Sequence, residues 1–243
     1  MVSMSALHSL TAELHAGFLT LGFVCIIAVT LAQITVRYRN HMPKRLVSAA
    51  INVRGYLEAT GYVGSIAGLV GLLLSAYTGM YAWPQDILLD NAVVRNKILL
   101  TVFSMAFWIG VVYIRTRFGR GLWTCPMMAS LYVVLAIVGF VIVATAGSMG
   151  AHLGTAGSSI LDPLWQAVHL DITKTLAIPT VVAAAIAIIS VLAFIVALAV
   201  SRNYELFAVK LAPETCSKFF KWDEPVIVYQ APPPPPTPPV SGK

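Results

Sequence analysis

Five stretches of the chain are each apolar enough to cross a lipid bilayer, and this constrains the fold more than any motif. They run from Ala16 to Val36, Tyr56 to Trp83, Ile98 to Ile114, Met127 to Gly147 and Thr175 to Val200. A hydrocarbon core about 30 Å thick calls for about 20 apolar residues per spanning helix, because every backbone polar group must be satisfied inside the segment. With 58% hydrophobic residues, 11% charged residues and a mean hydropathy of +0.81, a water-soluble domain could not hide the apolar surface. The expectation is an all-α integral membrane bundle of about five transmembrane helices over residues 1–202. An extended, Pro-rich cytoplasmic tail is expected over 203–243.

Orientation is read from the sixteen Lys and Arg residues. Arg37, Arg39, Lys44, Arg45 and Arg54 follow the first span, Arg115, Arg117 and Arg120 follow the third, and Arg202, Lys210, Lys218, Lys221 and Lys243 follow the fifth. Only Arg95, Lys97 and Lys174 fall on the other side. The positive-inside rule then predicts a multi-pass protein of the cell membrane with its N-terminus external and its C-terminus cytoplasmic. The net charge of +6 reads as topology and as a surface for anionic headgroups. No basic stripe interleaved with aromatics suggests nucleic acid as a partner.

The N-terminus has no basic residue before its apolar run, so that run is expected to be a retained span and not a signal peptide. Cys25 falls within the first span, whereas Cys125 and Cys216 fall on the side assigned to the reducing cytoplasm, so no structural disulfide is expected. Neither a CxxC, a Walker loop nor an HExxH motif occurs. Glu58 is the one acidic residue within the spans, so no ladder of carboxylates marks a proton or cation path.

Four of the five histidines collect at one depth on the external side. His8 and His15 are seven residues apart, on one face about two turns from each other. His152 follows the fourth span in the run Gly147 to Gly154, and His169 precedes the fifth; His41 alone lies in a cytoplasmic loop. Histidine is tolerated at membrane interfaces. Imidazoles from two helices also suit a b-type haem, or a copper or zinc ion. For haem b the preferred axial pair is His15 with His152, and His8 and His169 are the reserves. Arg95 and Lys97 stand where propionates would emerge, though lipid phosphates would attract them equally. External Asp86, Asp90, Asp162 and Asp171 are available to orient a ligand imidazole.

Gly61, Gly64, Gly68 and Gly71 form a smooth stripe on the second helix, suited to a close backbone or a flat ligand. Asp162 and Pro163 read as an N-cap and first helical residue. The helix they open is expected to carry Gln166, His169 and Thr173 on one polar face and to kink at Pro179. In the tail, Lys218 to Trp222 mixes bases with aromatics, Val226 to Tyr229 suits strand addition, and Pro232 to Pro239 is largely polyproline II.

The histidines of the first helix, the second helix ending in Ser75-Ala76-Tyr77-Thr78-Gly79 and the glycine-rich exit of the fourth resemble a prokaryotic family of uncharacterised four-helix membrane proteins suspected of haem binding. The likeness covers residues 5–157. It departs from the family pattern at Ser9, where proline follows the histidine, in the wider spacing of His8 and His15, and in the added fifth helix and tail. Residues and resemblance together imply a haem-carrying or haem-adjacent subunit of a respiratory-type electron-transfer complex. Its partners would be the bilayer, other membrane and peripheral subunits, and a quinol. The alternative is a cofactor-free accessory subunit of a larger membrane enzyme.

Overall fold

The computed structural model describes residues 3–84, 90–153, 159, 161–169 and the isolated positions Ala185, Ile188, Leu192 and Ile195. The rest of the expected fifth span, Pro179 and the tail lie outside the described residues. Within them all regular structure is helical: α1 (Met4–Arg37), α2 (Lys44–Ala82), α3 (Ala92–Phe118), α4 (Pro126–Leu153) and a short α5 (Asp162–Ala167). Two 3₁₀ turns, Arg39–His41 and Gly119–Thr124, close the α1–α2 and α3–α4 connections. Four helices are long and apolar enough to cross a membrane.

Several helix ends have a local cause in the sequence. The Ser3 hydroxyl accepts from the Ala6 N–H at 3.1 Å, and the Asn91 side chain accepts from Val93 and Val94, so α1 and α3 open on side-chain caps. Pro126 opens α4 at a position where a missing N–H costs nothing. Gly119 ends α3 with φ of 52°, a left-handed conformation in which a side chain would collide with its own backbone.

Neighbouring helices run antiparallel around a ring in which α1 packs on α2 and α4, and α3 packs on α4 and α2. The α1–α2 seam is the tightest, because the glycine stripe of α2 lies directly on α1. A Cβ added at Gly64 would stand 3.2 Å from the Phe18 carbonyl oxygen and 3.3 Å from the Gly22 nitrogen. The stripe is therefore filled by helix α1, which leaves no slot for a flat ligand along it. Across the ring, Phe23 and Phe140 stack with centroids 4.2 Å apart.

The interior is built from Leu19, Leu72, Trp108, Tyr132 and Ala136, with Leu122 of the 3₁₀ turn plugging one end. Ser104 of α3 donates a hydrogen bond to the Gly139 carbonyl of α4 at 3.0 Å. The outward faces are as apolar as the core, with Leu10, Leu14, Leu21, Val24, Leu31, Val63, Val70 and Leu74 exposed. Such a continuous apolar surface suits lipid and would aggregate in water.

Two sequence expectations are corrected here. The helix opened by Asp162 and Pro163 does not run on through His169: α5 stops at Ala167, and His169 adopts φ of 53° beyond its end. A left-handed residue just past the last turn is a standard helix stop, so the face expected to join Gln166 and His169 does not form. Cys125, for which no disulfide was expected, is disulfide-bonded. The expectation rested on compartment alone, and compartment says nothing about which thiols the fold brings together.

Candidate functional site

The end of the bundle carrying the N-terminus gathers polar and basic side chains from all four long helices. His8 of α1 donates through Nδ1 to the Ser75 carbonyl of α2 at 3.0 Å. Beside it the hydroxyls of Thr11 and Thr78 meet at 3.2 Å, a buried polar contact between the same two helices. One turn further along α1, His15 donates through Nδ1 to the Thr11 carbonyl at 3.0 Å. A carbonyl oxygen can only accept, so each ring carries its proton on Nδ1 when neutral. Nε2 then holds the lone pair.

Glycines of facing helices make room for these groups. A Cβ at Gly79 would come within 2.9 Å of the His8 Cε1, and one at Gly71 within 3.0 Å of the His15 Cβ. Lys97 of α3 is placed in the same manner, with its Nζ 2.9 Å from where a Gly150 Cβ would lie on α4. The Lys97 charge reaches both imidazoles across the bundle. Asn96, next to it, is fully buried, and Arg95 is half-buried. The arrangement thus places two lone-pair nitrogens two turns apart on α1, with a hydroxyl pair between them and a cation on α3, near one end of the bundle.

His152 is placed differently. Its Nε2 lies 2.8 Å from the Asp162 carboxylate, which also accepts from the Ser159 N–H at 2.8 Å. The Ser159 N–H, and after it the His152 imidazole, hold the Asp162 carboxyl below the usual carboxylate range. A lowered carboxyl keeps the contact intact at neutral pH, and it is lost only as acid protonates Asp162. Trp165 Nε1 donates to the Ser148 hydroxyl at 3.3 Å. His152 therefore ties α5 back onto α4. His169 is exposed beyond α5. Among the described residues no group of three or more His, Cys, Asp or Glu side chains could hold a metal ion.

At the opposite end lies a cluster that the sequence only half disclosed. Glu58 pairs with Arg115 at 2.9 Å and with Arg120 at 3.7 Å, and it accepts from Trp123 Nε1 at 3.1 Å. Arg115 also sits over the Tyr62 ring, whose hydroxyl meets Thr116 at 2.8 Å. Glu58 and Arg115 expose only 9% and 12% of their side chains, so this is a buried pair tying α2 to α3. A lone acid inside a span is itself a signal that a cation must lie nearby.

Comparison with family profiles, curated proteins and solved structures finds nothing that matches this chain.

Proposed function

We propose that this chain is a multi-pass membrane subunit of a respiratory-type electron-transfer complex, and that its His8–His15–Lys97 end carries or borders a b-type haem on the external side. The observation that supports this reading is the pair of imidazoles anchored through Nδ1 to backbone carbonyls at 3.0 Å, which leaves a lone pair on each Nε2. Metal-ligating histidines are commonly held in this way. His15 is the axial ligand this chain supplies, with His8 as its neighbour. Lys97 and Arg95 balance the propionates. Haem would carry single electrons, with a quinol as donor. His152 is the weaker ligand in this reading, since its Nε2 is taken by Asp162.

The test is an optical and paramagnetic-resonance spectrum of the full chain expressed with its partners and adequate haem. Wild type should give a low-spin signature that His15→Ala removes, while His41→Ala at the far end and His152→Ala keep it. If wild type carries no haem, the redox reading fails and the accessory-subunit reading stands. The filled α1–α2 glycine seam favours that second reading, because it is built for helix packing and not for a ligand.

The orientation within this proposal has its own check. With the native cysteines replaced, Ser5→Cys should react with an impermeant maleimide in intact cells, and Asn40→Cys only after permeabilisation. Both positions are exposed, so access is set by the membrane alone. The reverse pattern would invert the topology.

A further inference from the structure

At the hairpin between α1 and α2 an open cavity of ≈ 350 Å³ is lined by Arg39, Asn40, Lys44, Val47, Ser48 and Ile51. Its two cations have no carboxylate partner among the described residues. The chain itself explains why: no Asp or Glu occurs between Glu13 and Glu58, a stretch that holds five Lys and Arg residues. Uncompensated charge around a concave site is a standing demand for an anion. Asn40 and Ser48 add neutral donors.

The wall chemistry then selects the anion. Val47 and Ile51 lie one turn apart on α2 and continue the cavity toward the apolar part of the helix, so the site is charged at its mouth and oily along one side. It lies where two membrane-crossing helices end, at the depth of headgroup phosphates. We propose that this cavity binds the phosphate of one anionic glycerophospholipid, with Arg39 and Lys44 as the charge partners and Val47 and Ile51 against the start of an acyl chain. The inference is independent of the haem reading, and it goes beyond a general attraction of basic loops to the membrane by naming a single seat.

The experiment is native mass spectrometry of the full chain in detergent, titrated with dioleoyl phosphatidylglycerol, dioleoyl phosphatidylcholine or inorganic phosphate. One phosphatidylglycerol should bind in preference to phosphatidylcholine. Lys44→Gln and Arg39→Gln should each weaken it about fivefold, the usual size for one basic residue at a membrane surface. The adjacent Arg45→Gln removes the same charge outside the cavity and should leave binding within twofold of wild type, a bound set on the order of the experiment's scatter. All three residues are exposed, so these variants fold. Equal losses from Arg45 and Lys44 would replace the seat with diffuse surface attraction. Equal binding of the two lipids would overturn the proposal. Displacement of the lipid by an equal concentration of inorganic phosphate would assign the cavity to the free ion instead.

Discussion

Glu58→Leu is expected to destabilise the bundle by about 3–5 kcal/mol, the usual penalty for removing one partner of a buried ion pair. The loss comes less from the missing attraction than from the cation left behind. Arg115 is only 12% exposed, and its Nε already lacks a hydrogen-bond partner, so without Glu58 a guanidinium would remain in a nearly dry site. Trp123 would lose its acceptor as well, which loosens the 3₁₀ turn between α3 and α4. The double variant Glu58→Leu/Arg115→Met removes both charges and should recover most of the loss, because an apolar pair of similar volume is often as stable as the ions it replaces. Unfolding of the four variants of this cycle, followed by circular dichroism in mixed micelles of rising denaturing-detergent fraction, measures the coupling. A single-variant loss below about 1 kcal/mol would mean that the pair behaves as an exposed one.

The positions of four helices were legible because hydropathy over 20 residues is a strong physical signal: the first, third and fourth expected spans fall inside observed helices, the second overruns α2 by Trp83 alone, and the fifth lies outside the described residues apart from isolated positions. Their ends were less legible. The third span was expected to be short, from Ile98 to Ile114, because Lys97 and Arg115 read as loop charges. Both are helical, since each has a place in the bundle: Lys97 lies against Gly150, and Arg115 meets Glu58. Long-range pairing of this kind leaves no trace in local composition.

The candidate site shows the same division. Topology alone set His8, His15 and Lys97 at one end of the molecule. What could not be read was the partner of each nitrogen, which depends on how α1 is rotated against α2. Thr11 and Thr78, whose hydroxyls fix that rotation, look like ordinary polar residues in two apolar runs. The Asp162 partner of His152, ten residues on, was equally hidden: nothing in local composition shows that this carboxylate accepts from both the Ser159 N–H and the imidazole.

The glycine stripe gives the second large effect, and it separates packing from mere helical propensity. Gly68→Ala should cost about 1–3 kcal/mol, the usual range for overpacking. Its Cβ would lie 2.6 Å from the Leu19 Cγ and 2.9 Å from the Leu19 backbone nitrogen, and a rotamer change cannot relieve the second contact. Helix α1 would have to move away, and His15 with it, because Gly71 holds the His15 Cβ one turn along the same seam. The same substitution at Gly17 or Gly55 meets nothing within 4 Å, so it should stabilise by up to about 1 kcal/mol through the better helix propensity of alanine. Unfolding measured side by side on the three alanine variants makes the comparison internal, since chemistry and helix type are constant and only the neighbour differs. If Gly68→Ala proved as harmless as Gly17→Ala, the close α1–α2 contact would be wrong, and with it the placement of both imidazoles at the N-terminal end of the bundle.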